Sequence, residues 1–222
     1  MIQPILLSIL IPTVVGRENE LSKLLGLLSK YAPLDVKSNL KKNNFDYTGT
    51  KYDLEDVEII VVKDNKQNTI GAKREYMYSL ANGLYSQMTD DDDELAPNAI
   101  ELILNAIKSN PEIPCITFRE KCMMNGVYKS SNHSIRYYQW MDNQDGFDYV
   151  RSPFCKDVIR TDIAKSVPFP HIRYNEDEQW SKALKPFLTD EIHINEELYH
   201  YIYNETNHNE RYGLDRQETD NN

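Results

Sequence analysis

With 222 residues, the chain can form one sizeable α/β domain, or a domain with a small annex. Hydrophobic residues at 40% and charged residues at 27% allow a packed core, so disorder is not the default reading. Lys and Arg number 25 against 35 Asp and Glu, a net charge of −10 that argues against broad binding to a phosphate backbone and leaves room only for a local basic site.

Elements follow in chain order. "LLSILIP" (6–12) and "VEIIVV" (57–62) are nearly continuous apolar runs, the pattern of parallel strands covered on both faces. The apolar start "MIQPILLSILIP" lacks a basic n-region and a small-residue cleavage site, and it is too short to span a bilayer. It predicts a buried first strand and no membrane span. Leu21, Leu24, Leu25 and Leu28 repeat at helical spacing, as do Ile100, Ile103, Leu104 and Ile107. Residues 70–82 read as a third helix, with Gly83 as its C-terminal stop. "LYSQMT" (84–89) and "PCITF" (114–118) read as strands. The alternation predicts a mostly parallel sheet with helices on both faces.

Residues 35–56 are polar and aperiodic, and predict an inserted surface loop carrying Lys37, Lys41, Lys42 and Lys51. The second half, from 111 onward, reads as less regular. Its stretch 137–149 is rich in aromatic residues, including Tyr137, Tyr138, Trp140, Phe147 and Tyr149, which suit either a sugar platform or core packing. "YNEDEQWSKALKPFL" (174–188) predicts a helix with Asn175 as N-cap and Glu178 three residues on. "ELYHYIYN" (197–204) alternates like a strand, and residues 204–222 read as a polar tail. Cys115, Cys122 and Cys155 form no Cys-x-x-Cys pair, which predicts reduced thiols and a cytoplasmic setting.

The distinctive stretch is "YSQMTDDDDELAP" (85–97). Four aspartates stand at the carboxyl end of a strand, where open α/β sheets bind ligands. Clustered carboxylates there either form a solvated turn before a helix or hold a hard cation, for which Mg²⁺ takes one or two carboxylates plus phosphate oxygens.

In order, Ile70-Gly71-Ala72-Lys73-Arg74, Ala81-Asn82-Gly83, a strand, and Asp90-Asp91-Asp92-Asp93-Glu94-Leu95-Ala96-Pro97 resemble nucleotide-sugar glycosyltransferases of the GT-A fold, especially family 2. "LSILIPTVVGRENELSKLL" looks like the family's first strand and helix, and "VEIIVVKDN" like its second strand with a terminal acidic residue. The resemblance covers residues 5–110 apart from the insert, and continues more weakly to about residue 203. It implies a single Rossmann-like GT-A catalytic domain over 1–203, with a nucleotide-sugar-binding half (1–110) and an acceptor-side half (111–203).

The resemblance also implies roles. Thr13 and Asp64 line the nucleoside pocket, and Arg17 faces the nucleotide. Gly71, Lys73 and Arg74 open a helix beside the diphosphate, where positive charge and helix N–H groups both help. Asp90 and Asp92 form the Asp-x-Asp pair, with Asp92 the first choice for Mn²⁺ or Mg²⁺ and Asp91 beside the nucleotide. Asp91 and Asp93 also fit that spacing, but Leu95 and Pro97 favour the first register. Glu176 and Asp177 sit where the family carries its base, Asp177 being the first choice; equally, acidic residues suit a first helical turn without catalysis. His208 in the tail is a further metal candidate, as is His200.

The function implied is transfer of one sugar from a nucleoside diphosphate sugar, UDP-linked by the family's commonest choice, to an acceptor hydroxyl with inversion. The acceptor class, whether glycan, protein, small molecule or modified DNA base, stays open. Alternatives are a nucleotidyltransferase and a non-catalytic cation- or nucleotide-binding module.

Overall fold

The computed structural model describes residues 5–29, 37–39, 47–53 and 56–205. In chain order the elements are β1 (Leu7–Val14), α1 (Glu18–Leu28), β2 (Lys37–Asn39), β3 (Thr48–Asp53), β4 (Val57–Asp64), α2 (Ile70–Leu80), β5 (Tyr85–Met88) and β6 (Glu94–Leu95). There follow α3 (Ala99–Ser109), β7 (Cys115–Met124), β8 (Val127–His133), β9 (Met141–Gln144), β10 (Phe147–Arg151), β11 (Val158–Arg160), α4 (Thr161–Ser166), α5 (Glu176–Leu184) and β12 (Glu191–Tyr203).

The strands form one mixed sheet in the order β2-β3-β4-β1-β5-β11-β7-β8-β10-β9, with β12 pairing β6 and β7. Its heart is the parallel trio β4-β1-β5. These strands are buried on both faces, which is why β1 and β4 run nearly apolar without alternation; β5 buries Ser86 and Gln87 as well, bonded to the Thr161 hydroxyl and the Lys156 carbonyl. One face is covered by α1 and α3: Leu24, Leu25 and Leu28 of α1 and Ile100, Ile103 and Ile107 of α3 are buried against Leu7, Ile9, Ile59 and Val61. Each such side chain contributes about 1.5–3 kcal/mol by leaving water. The other face packs on α2, α4 and α5 through Met77, Tyr78, Ala164, Trp180 and Leu184. Among the described residues no helix is long and apolar enough to cross a membrane.

The crossovers leave β1 for β4 on one side and β5 on the other, so the strand order reverses between β1 and β5 while all three strands stay parallel. The β1–β5 register covers only Leu7↔Tyr85 to Leu10↔Met88, whereas β1 and β4 stay paired to Val14↔Asp64. Beyond Leu10 a crevice therefore opens at the carboxyl ends of the trio. Pro12, awkward in a central strand, lies where the β5 neighbour has gone.

Several expectations need correction. The 35–56 segment is not all loop, because β3 lies antiparallel to β4 from Thr48↔Lys63 to Asp53↔Glu58. Its polar composition hid a run of β-formers, Thr48, Thr50 and Tyr52, with Tyr52 and Tyr47 buried. Within the less regular second half the described residues hold six strands, of which sequence showed two; Ser and Asn residues mask the pairing of the rest. Asn175 takes a left-handed conformation (φ 62°) and makes no side-chain cap. Gly83 does not end α2 in a left-handed turn, since the cap residue Ala81 is extended. Instead a Cβ on Gly83 would stand 2.6 Å from the Ser8 backbone nitrogen. The Gly83 and Asn82 N–H groups donate to buried Glu58, which Ser8 and Lys51 also contact. Gly83 thus lets the α2–β5 connection lie flat on β1.

Two glycines should therefore respond oppositely to alanine. Gly83→Ala should lose about 1–3 kcal/mol of unfolding free energy through overpacking. Gly26→Ala, inside α1 with nothing within 4 Å of the new methyl, should gain about 0.5–1 kcal/mol. Urea unfolding of both variants checks the pair.

Candidate functional site

The crevice holds a cavity of about 220 Å³ whose walls include Thr13 from β1, Asp64 from β4, Arg74 from α2 and Asp90 after β5. Strand ends place Thr13 and Asp64, so those two positions follow from sheet register, whereas Arg74 comes from a helix and Asp90 from the turn after β5.

The acidic run alternates. Asp91 and Asp93 are 2% exposed and point inward, while Asp90 and Asp92 are half-buried and face outward. Asp91 accepts a hydrogen bond from the Thr13 hydroxyl at 2.6 Å. Arg17 bridges Asp91 at 3.1 Å and Asp92 at 2.9 Å. Asp93 turns away from the crevice: its Oδ1 accepts the Ile202 N–H at 2.9 Å, and its Oδ2 accepts the Tyr199 hydroxyl at 2.8 Å and lies 3.1 Å from Lys156 Nζ. Burial, together with Asp90 and Asp92, pushes the Asp93 carboxyl up to about 7 against the pull of Lys156. Asp93 is thus engaged inside the protein.

Behind Asp93 a buried chain of alternating charge continues from Lys156 to Glu120 (3.5 Å), His133 (3.4 Å) and Asp157 (3.1 Å). Burial opposes a charge on His133, but Asp157 and Glu120 overcome it and raise the imidazole to about 9. Burial likewise opposes the Glu120 charge, yet Lys156 and bonds from His133 and Cys122 bring it down to about 2.

The basic residues of α2 behave differently from one another. Arg74 is buried between Glu176 (2.5 Å) and Asp90 (3.5 Å), joining the acidic run to α5. Burial alone would weaken its charge, but facing Cys155, Glu176 and Asp90 hold it firmly protonated. Lys73, expected beside a diphosphate, is among the residues that line the cavity; it is buried against Asp64 at 2.5 Å and donates to the Thr13 carbonyl at 2.8 Å. It neutralises Asp64 and ties the ends of β1 and β4 together. The expected helix N–H donors are also engaged: Gly71 donates to the Ile172 carbonyl, Ala72 to the Thr69 hydroxyl and Lys73 to the Thr69 carbonyl. Gly71 serves close approach, since a Cβ there would stand 1.8 Å from the Pro170 carbonyl oxygen.

Of the acidic pair on α5, Glu176 is buried and Asp177 half-buried. Burial and Asp177 raise the Glu176 carboxyl despite Arg74. His208 lies outside the described residues. His200 stands on β12 opposite Glu94 and Lys121, and burial lowers its imidazole. Among the described residues no group of three or more His, Cys, Asp or Glu side chains is arranged to hold a metal. The half-buried carboxylates of the run are Asp90 and Asp92. Of the aromatic stretch, Tyr137 is buried and Trp140 packs edge-on against Phe154, so those two serve the core; Tyr138 is exposed.

Sequence reasoning missed Arg173 and Tyr174, which also line the cavity. Arg173 donates to the Lys66 and Asn68 carbonyls, bringing the 170–175 loop over the start of α2. Their position just before the acidic pair was the available signal.

A crevice at the carboxyl ends of parallel strands, at the point where strand order reverses, is where open α/β proteins bind nucleotides. The family model described as Glycosyl transferase family 2 matches residues 43–167, more than half of the chain. The chain belongs to glycosyl transferase family 2. No curated protein matches it. Among solved structures it is similar to S. aureus TarS, with TM-score 0.59 and 13% identity over 90% of this chain and 37% of that one. A TarS fragment in complex with UDP-GlcNAc gives TM-score 0.58 at 13% identity, covering 90% of this chain and 59% of the fragment. The same fragment in complex with UDP gives 0.57 at 13% identity, covering 93% and 63%. At that identity the likeness establishes the GT-A fold. The chain spans from just over a third to under two thirds of these proteins.

The buried relay predicts a pH signature. His133, raised from 6.5 to about 9, contributes stability that is fully present below pH 6.5 and lost as pH rises through 9. Unfolding free energy should fall by on the order of 3 kcal/mol between pH 6 and 9.5. His133→Asn should start lower and lose less across that window in urea titrations. Parallel pH profiles for the two proteins would contradict the assignment.

Proposed function

We propose that the chain transfers a single sugar from a nucleoside diphosphate sugar to an acceptor hydroxyl, with inversion, as one catalytic unit over residues 1–203. The observation that carries this reading is the cavity at the β1–β5 crevice, where Asp64, Arg74, Asp90 and Asp91 converge. The TarS fragment's complexes with UDP and UDP-GlcNAc make a uridine nucleotide the first donor to test.

In this reading the base lies against Thr13 and Asp64. Asp64, neutralised by Lys73, accepts from a ring N–H. Arg17 and Arg173 meet the diphosphate charge, roles first expected of Lys73. Asp90 and Asp92 fit a divalent cation, whose coordination the diphosphate oxygens would complete; when bound, Mn²⁺ or Mg²⁺ supplies charge neutralisation to the departing diphosphate. Asp177 takes the acceptor hydroxyl proton as the oxygen bonds to the anomeric carbon, and the bond from that carbon to the diphosphate breaks. Glu176, held by Arg74, keeps the start of α5 against the crevice. A modified DNA base gains little support as acceptor, since Lys51 of the supposed basic insert is paired with buried Glu58 at 2.6 Å.

Two outcomes are expected. UDP with Mn²⁺ should raise the thermal midpoint of the wild type, and chelator or Asp92→Ala should abolish the rise. Asp177→Asn should cut UDP release from the cognate UDP-sugar by about 10²–10⁴-fold while UDP affinity stays unchanged. Wild-type turnover in that variant would remove Asp177 as base.

A further inference from the structure

The inward half of the acidic run is attached to the protein in a way the transfer reaction does not require. Asp93, Lys156 and Tyr199 come from three separate elements: the turn after β5, the segment before β11, and β12. All three are at most 8% exposed. Lys156 Nζ lies 3.8 Å from the Tyr201 ring centroid and 4.6 Å from that of Tyr199, so the ammonium is enclosed by two rings and two carboxylates. The Tyr199 hydroxyl donates to Asp93 at 2.8 Å and accepts the Asp90 backbone N–H at 3.1 Å. The Asp93 N–H in turn donates to the Asp90 carbonyl at 3.1 Å. One phenol oxygen therefore holds both ends of the turn that presents Asp90 and Asp92.

We propose that Tyr199, with Asp93 and Lys156 behind it, is a positioning clamp that sets where Asp90 and Asp92 stand, so that β12 of the acceptor-side half governs affinity for the donor diphosphate. This inference deepens the transferase reading and rests on it for its functional consequence. The structural part stands on its own. Without the hydroxyl, the Asp90 N–H loses its partner and Asp93 loses one of its three contacts, but the ring still fills its space beside Lys156. Tyr199→Phe thus releases the turn without emptying the core.

The test uses the full chain and reads three quantities on wild type and Tyr199→Phe: thermal midpoint, amide hydrogen exchange at residues 90–93, and affinity for UDP with Mn²⁺ by calorimetry. A thermal midpoint within a few degrees of wild type, exchange at Asp90 faster by about tenfold, and UDP binding weaker by about tenfold support the clamp; each tenfold step is the scale of one lost hydrogen bond. Unchanged exchange at Asp90 overturns it whether or not nucleotide binds. Faster exchange with unchanged UDP affinity overturns the link to donor binding. If the wild type binds no nucleotide, the transferase reading fails, and exchange at Asp90 still decides the clamp.

Discussion

The site depends on one buried guanidinium. Arg74 stands between Glu176 of α5 and Asp90 of the acidic turn, residues 102 and 16 positions away in sequence. A buried charge that loses its partners costs several kcal/mol, so each of the three groups requires the others. The contact fixes α5, and with it Asp177, against the carboxyl ends of the parallel trio. It forms only because α2 can approach the 170–174 loop, and that approach exists because residue 71 has no side chain: any Cβ would overlap the Pro170 carbonyl.

An abundance of carboxylates is the second constraint. A chain of net charge −10 concentrates four of them at one strand end, and the fold separates them in a turn closed by the bond from the Asp93 N–H to the Asp90 carbonyl. Asp91 is neutralised by Thr13 and Arg17, and Asp93 by Lys156 and Tyr199. Asp90 and Asp92 are half-buried and meet Arg74 and Arg17 on the outer side of the turn. The run is thus neither a uniformly solvated turn nor a uniform cation site. Its inward members anchor it and its outward members present charge.

The parallel trio was readable because strands buried on both faces must be apolar throughout, and 6–12 and 57–62 are. Its flanking helices were readable from spacing alone. The Asp-x-Asp turn and the Glu176-Asp177 pair were readable only through resemblance, since a short acidic run has no period of its own. What stayed hidden had physical causes. β3 is polar on its exposed side, so Thr48, Thr50 and Tyr52 looked like loop. The Lys73–Asp64 salt bridge stayed hidden because it depends on the Thr13↔Lys63 register of β1 and β4, which sequence does not state. Tyr199 could not be assigned inward by counting, because register shifts between Ile194 and Tyr199 break the alternation of β12.

The proposed nucleotide site is the β1–β5 crevice. Titration of isotope-labelled protein with UDP and Mg²⁺, followed by backbone amide chemical shifts, tests it directly. Saturable shifts concentrated at Thr13, Asp64, residues 90–92 and Arg173 are expected. Saturable shifts centred elsewhere, or none at millimolar UDP, would contradict it.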